Sequence, residues 1–253
     1  MQNLKLKVIY QDSHLLVIEK EAGLITAQTD TGTEKNTIED ILKNEYLIDI
    51  EQAGLVHRLD KDTSGVLVVA RTNQALTNLQ SQFKERKVKK VYVALVHGII
   101  EQKGEVNVAI GRNPIRHDKF SIVEEGRESS TEYEPVEKFK IQNEKIKSLV
   151  PGMTDREIKK LEHARYGEFT LLKCYPKTGR THQIRVHLKY INHPIVGDLK
   201  YGGRKISRVD KIWVPRQFLH AQKLSFYHPQ TNKWMEFESK LPQDLEEVLA
   251  KLI

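Results

Sequence analysis

The 253-residue chain holds a single cysteine, Cys174, which excludes an internal disulfide and any zinc site built on cysteines. No apolar run approaches the roughly 20 residues that a membrane-spanning helix needs. The opening Met1-Gln2-Asn3-Leu4-Lys5 lacks the apolar core of a secretory signal, so a cytoplasmic location is the expectation. Aromatics make up only 7% of the residues, few for a sugar-binding cleft. His182 and His187 lack the HExxH spacing of a zinc helix, and no glycine-rich phosphate loop is present. Internal repeats and low-complexity segments are also missing. The length still suffices to bury a sizeable core, as one large domain or two small ones.

Cations are in excess. The formal net charge is +7, which suits a polyanionic partner because each neutralised phosphate releases counterions. Their distribution is uneven. Lys84-Glu85-Arg86-Lys87-Val88-Lys89-Lys90 packs five cations into seven residues just before an apolar run, and Arg112, Arg116 and Lys119 gather around Asn113-Pro114. Such runs serve either a solvated face or contact with nucleic acid.

The apolar pattern predicts strands at 8–10 and 15–20 joined by a Gln11-Asp12-Ser13-His14 turn, and others at 91–96, near 105–110, 120–124, 131–139, 168–175 and 223–227. Thr37 and Asp40 resemble a helix start with Ile38, Ile41 and Leu42 on one face, and 74–86 places Leu76, Leu79 and Phe83 at helical spacing. Further helices are expected at 181–191 and 243–252. Strands and helices do not alternate regularly, so the reading is a mixed α+β fold on a largely antiparallel sheet. Residues 140–167 are charged and interrupted by Pro151-Gly152. Within them, Thr154 and Glu157 have capping-box spacing for a short helix.

The most informative stretch is His57-Arg58-Leu59-Asp60-Lys61-Asp62-Thr63-Ser64-Gly65, set between Leu55-Val56 and Val66-Leu67-Val68-Val69-Ala70. This reads as strand, polar turn, strand. Asp62 before Thr63-Ser64-Gly65 suits a solvated turn-former. Asp60 suits that role poorly, because Leu59 keeps the chain partly buried, and a buried carboxylate needs a cationic partner. A second polar run, Gly179-Arg180-Thr181-His182-Gln183-Ile184-Arg185-Val186-His187-Leu188, offers Thr181 as N-cap of a helix carrying Ile184, Leu188 and Ile191 on one face. Asn192-His193-Pro194 stops that helix. Arg185 lies one turn inside it, near the positive end of its dipole.

HRLDKDTSG resembles the signature of the large RNA pseudouridine synthase family, in its RluA-type branch of ribosomal and transfer RNA uridine isomerases. GRTHQIRVHL resembles the family's second main motif. Weaker echoes are Glu19-Lys20-Glu21-Ala22-Gly23-Leu24 (with Glu21 where proline is usual), Val196-Gly197-Asp198, Tyr201-Gly202, and Phe218-Leu219-His220-Ala221 with Phe226-Tyr227-His228-Pro229. The resemblance implies a pseudouridine synthase fold: a long, mostly antiparallel sheet in two halves flanked by helices, with the active-site cleft between them. It implies one catalytic domain over 1–253, without the small S4-type RNA-binding domain many relatives carry. Relatives cross 140–167 with far fewer residues, so that segment reads as an insertion.

The same resemblance implies the roles. Asp60 is the catalytic aspartate, and Arg185 pairs with it, holding it ionised. Tyr92 stacks on the target base, and Arg58 displaces the target nucleotide and fills its place. His57 fixes the turn rather than moving protons. Lys87, Lys89, Lys90, Arg112, Arg116, Lys119, Arg180 and His182 face the RNA. The implied partner is ribosomal or transfer RNA, with no cofactor, metal, membrane or obligate protein partner, and a monomeric state. The rival readings are a glycoside hydrolase using Asp60 and Asp62, whose side chains diverge on one turn, and a protein kinase, which lacks HRD-x-x-x-x-N. The alternative that stays open is a non-catalytic RNA-binding or ribosome-assembly factor on the same fold.

Overall fold

A computed structural model describes residues 5–28 and 36–253. In chain order the elements are β1 (Lys7–Gln11), β2 (Leu15–Lys20), α1 (Ile38–Asn44), β3 (Ser64–Ala70), α2 (Asn73–Lys84), β4 (Lys89–His97), β5 (Gly104–Asn107), β6 (Ile110–Arg112) and β7 (Phe120–Ile122). There follow β8 (Ser130–Lys140), α3 (Asn143–Leu149), α4 (Asp155–His163), β9 (Glu168–Pro176), α5 (Gln183–Tyr190), α6 (Arg204–Trp213), β10 (Leu219–Tyr227), β11 (Trp234–Glu238) and α7 (Gln243–Ala250). The result is a mixed α+β fold with a large, mostly antiparallel sheet flanked by helices.

Two compact units share the chain, Met1–Val91 with Ala221–Lys240 and Tyr92–His220 with Leu241–Ile253. In the first, β1 pairs β2, β2 pairs β3, and β10 pairs β11, all antiparallel. Its core sets Leu15, Val17, Val66 and Val68 against Leu76 and Leu79 of α2 and Phe226 of β10. β3 is buried along its whole length, which is why 66–70 reads as an unbroken apolar run rather than an alternating one. Gly65 cannot be replaced cheaply: its φ is +126°, and a Cβ there would stand 2.1 Å from the Ala221 carbonyl oxygen.

In the second unit β9 is central, pairing β4 on one side and β8 on the other, and β5 pairs the far edge of β8. Residues 140–167 hold two short helices rather than one. Ile146, Leu149 and Val150 from α3 and its C-cap, Ile158 from α4, and Tyr166 all enter this unit's core beside Phe169 and Trp213. The Thr154–Glu157 capping box closes as its spacing predicts, with Thr154 N–H donating to Glu157 Oε2 at 2.8 Å.

Two local expectations need correction. The strand foreseen at Leu55-Val56 is a single bridge from Leu55 to Val69, because 57–63 is held by side chains rather than by a ladder. Thr181 does not cap α5. The cap is His182, in the left-handed region at φ 57° and without a capping side-chain bond, so Gln183 opens the helix. Elements β6, β11, α3 and α6 were not foreseen.

Candidate active site

The turn bearing Asp60 is fixed from both sides within the first unit. Leu59 is buried, and its two backbone groups both use Thr26: the Thr26 hydroxyl donates to Leu59 O at 2.8 Å and accepts from Leu59 N–H at 3.3 Å. One residue past Asp60, the Lys61 carbonyl accepts from the fully buried Lys20 ammonium at 2.8 Å and from Gly23 N–H at 2.9 Å. Thr63 N–H closes the turn onto the Asp60 carbonyl at 3.0 Å. The segment 19–26 is therefore a cradle for the turn, and Asp60 itself stays half-buried while Arg58 and Asp62 are exposed.

His57 anchors the entry. Its Nε2 accepts from Val68 N–H at 3.1 Å, and its ring stacks on Phe83 with centroids 4.9 Å apart. Burial, with the nearby Lys90 charge, pushes its pKa down to about 3. A neutral imidazole whose Nε2 is engaged fixes the turn and has no proton to give from that nitrogen. Burial also pushes the half-buried Lys90 down to about 8, whereas Lys87 and Lys89 are exposed.

The second unit builds its own polar centre around α5. Arg185 is 7% exposed and grips Asp198 in a two-pronged pair, Nε to Oδ2 at 2.7 Å and Nη2 to Oδ1 at 2.9 Å. Asp198 Oδ1 also accepts from the backbone N–H groups of Lys200 (2.9 Å) and Tyr201 (3.0 Å). The Tyr201 ring lies against the guanidinium, 5.0 Å from its centroid, and its hydroxyl accepts from Phe120 N–H and lies 2.8 Å from His182 Nδ1. This brings His182 and the β6–β7 hairpin with Arg112 and Lys119 to the Arg185 end of α5. The Arg112 guanidinium lies over Phe120, and the Lys119 ammonium bonds the Lys200 carbonyl. Arg116 is exposed on the hairpin loop.

Gln183 explains why HQ opens this helix. Its side-chain oxygen accepts from the Thr178 hydroxyl (2.6 Å) and Arg180 N–H (3.0 Å), and its nitrogen donates to Ser130 O and Thr131 Oγ1, both at 2.9 Å. The loop is thereby stitched to β8. Arg180 Nε donates to Glu128 O at 3.1 Å. Tyr92 is half-buried at the start of this unit's share of β4, opposite Cys174 of β9. Burial pushes the Cys174 thiol up to about 12, so it is no nucleophile at neutral pH. Among the described residues, no three His, Cys, Asp or Glu side chains gather as a metal site, and no helix is long and apolar enough to cross a membrane.

Behind Asp198 lies a buried node. The fully buried Asp210 carboxylate accepts from Gly197 N–H at 2.9 Å, His97 Nε2 at 2.9 Å and the Tyr166 hydroxyl at 2.7 Å, and Trp213 Nε1 donates to that hydroxyl at 2.7 Å. Burial and the Asp210 charge push the Tyr166 phenol up. Sequence reasoning gave no role to Thr26, Lys20, Gln183, Asp198, Tyr201 or Asp210. Asp198 was the most accessible of these, a carboxylate directly after the apolar Ile195-Val196 and a glycine.

The comparisons with known proteins agree with these motifs. The family described as RNA pseudouridylate synthase matches residues 14–190. Ribosomal large subunit pseudouridine synthase D of Nitrosomonas europaea is 38% identical over 252 residues, covering 98% of this chain and 65% of that protein. The protein of the same name from Pseudomonas aeruginosa is 35% identical over 262 residues, covering 99% and 73%. The chain thus spans about two thirds of the length of these relatives. Among solved structures, human RNA Pseudouridylate Synthase Domain Containing 1 matches with a TM-score of 0.69 at 26% identity, covering 100% of this chain and 96% of that one. With its signature turn, its second motif and its fold in agreement, the chain belongs to the RNA pseudouridylate synthase family.

Proposed function

We propose that the protein isomerises uridine to pseudouridine in RNA, with large-subunit ribosomal RNA as the first substrate to test and transfer RNA as the second. The observation that carries this reading is the Asp60 turn. A half-buried carboxylate is held by a buried lysine, a buried threonine and a glycine N–H, all on the two backbone residues that flank it. That is far more support than a solvated turn-former needs, and a reacting group gains from being fixed in place.

In the reaction the N1–C1′ bond of uridine breaks, the uracil turns, and a C5–C1′ bond forms. The C5 proton leaves and N1 gains one, so no electrons are exchanged with a cofactor. In this reading Asp60 acts on the flipped nucleotide, as nucleophile or as base at the ribose. Arg185, already rigid through Asp198 and Tyr201, orients Asp60. Tyr92 stacks on the base and Arg58 fills the vacated place in the RNA. The Arg112, Arg116, Lys119, Arg180 and His182 group and the Lys87, Lys89 and Lys90 group bind the phosphates, and the enzyme acts in the cytoplasm as a monomer without a cofactor. Residues 1–253 then act as one catalytic domain.

The test is tritium release from [5-³H]uridine-labelled ribosomal and transfer RNA pools, with wild type and Asp60→Asn side by side. Release by wild type alone is expected. Equal release by Asp60→Asn would overturn the role of Asp60, and no release from either pool would favour a binding or assembly factor instead.

A further inference from the structure

Tyr227 and Trp234 are direct cross-strand partners at the turn end of the β10–β11 pair, edge to face with ring centroids 4.9 Å apart. Both stay in water, at 39% and 38% exposure. Trp234 Nε1 donates to Glu236 at 3.0 Å, which fixes the indole, and the Lys89 ammonium sits 5.5 Å from the ring centroid. The end of α2 docks at the same place. Gln82 accepts from Tyr227 N–H at 2.9 Å and donates to Tyr227 O at 2.7 Å, acting as a missing strand partner. The run from Lys84 to Lys89 therefore emerges beside the two rings, with Lys233 next to Trp234 in sequence, and Lys84, Arg86, Lys87, Lys89 and Lys233 are all exposed. Three carboxylates share the area: Glu85 holds Lys87 at 2.6 Å, while Glu236 and Glu238 hold Lys223 at 2.7 and 3.3 Å.

Cross-strand pairing accounts for the contact between the rings. It does not account for cations gathered around two partly exposed rings, one of them already under the Lys89 ammonium. Half-exposed aromatic faces with flanking cations are what an unstacked base and its phosphates require. We propose that Tyr227 and Trp234 form a stacking platform for an unpaired RNA nucleotide, with Lys87 and Lys89 on the adjoining phosphates. The preferred ligand is single-stranded, because in a duplex the base faces are already stacked on one another. The proposal rests on RNA being the substrate and adds to the first unit a contact that neither signature motif contains.

Trp234 reports on itself. The only other tryptophan, Trp213, is 4% exposed. Adding a short oligouridylate to the wild-type protein should quench the fluorescence. Trp234→Leu should abolish the quench and weaken binding roughly fivefold to a hundredfold, the range for losing one stacked base, whereas Trp234→Phe should bind like wild type. Lys89→Gln should lower the slope of log affinity against log salt by about one. A duplex RNA of equal length should quench little. Wild-type affinity in Trp234→Leu, or a quench that survives it, would overturn the platform. Tritium release measured alongside separates the two readings: turnover with unimpaired Trp234→Leu binding overturns the platform alone. Trp234-dependent quenching without any turnover upholds the platform and overturns the isomerase.

Discussion

Arg185 and Asp198 form an ion pair, with two parallel hydrogen bonds of 2.7 and 2.9 Å between a guanidinium and a carboxylate that are both buried. Two backbone N–H groups also donate to the carboxylate, and a tyrosine ring lies against the guanidinium. Breaking such a pair from one side strands a buried charge, which typically costs about 3–5 kcal/mol. Asp198→Asn should therefore lower the denaturation midpoint. It should also cut turnover on the order of a hundredfold through kcat, with RNA affinity little changed. Arg185→Lys keeps the charge but loses the fork, and should retain more stability than Asp198→Asn while losing turnover just as severely. Turnover that follows stability across both variants would mean Arg185 is only structural.

Thr26 offers a gentler probe. Thr26→Val keeps the shape but leaves both polar groups of Leu59 without the hydroxyl, a loss of about 1–3 kcal/mol by the usual cost of buried unpaired groups. Because Leu59 adjoins Asp60, kcat should fall with KM unchanged, as measured by tritium release at varied RNA concentration. Thr26→Ser should restore it.

His57 should be silent across neutral pH. Its folded pKa near 3 lies below the usual 6.5, so the folded state resists protonation. Its contribution to stability is intact above pH 6.5 and drains away as pH falls from there towards 3. Its ring resonance in NMR should show no titration between pH 5 and 8, and the pH–rate profile should carry no inflection that His57→Gln removes.

Asp12 adds a second acid-sensitive site. Burial alone would raise its pKa, but His14 N–H, the Tyr10 hydroxyl and His228 hold it well below the usual carboxylate range. The folded value is below the unfolded one near 3.8, so the stabilisation is present above that pH and lost as pH falls through the folded value. Thermal melts of Asp12→Asn should lie below wild type at pH 7 and converge with it in strong acid.

Much of the fold was legible because its elements announce themselves locally. The capping boxes at Thr37 and Thr154 and the apolar runs at 15–20 and 66–70 mark elements by neighbouring residues alone. The start of α5 was misread because its local signal, Thr181, was outcompeted by Gln183, whose four hydrogen bonds reach β8 and the Thr178–Arg180 loop. α6 carries Ile206, Val209 and Trp213 at helical spacing, but it follows Gly203 with no capping side chain and buries Ser207 and Asp210 among them, so no start signal marked it. The site showed the same division. Asp60 and Arg185 lie in recognisable runs, while Thr26, Asp198 and Asp210, which hold their neighbourhoods, reach partners 13 to 113 residues away.

The node at Asp210 determines where this protein tolerates added sequence. Tyr166 ends the 140–167 stretch, and its hydroxyl is bound to the same carboxylate that holds Gly197, the residue before Asp198. Excising 142–166 would thus take a donor from a fully buried anion that also holds Gly197, the neighbour of Arg185's anchor. Between the two short helices of that stretch, by contrast, Gly152 sits at φ +91° with no neighbour within 4 Å of an added Cβ. A fluorophore-bearing loop or an affinity tag grafted at Gly152 should be carried without disturbing turnover, whereas the same graft at Tyr166 should be felt at Arg185, in the first turn of the helix that begins with Gln183.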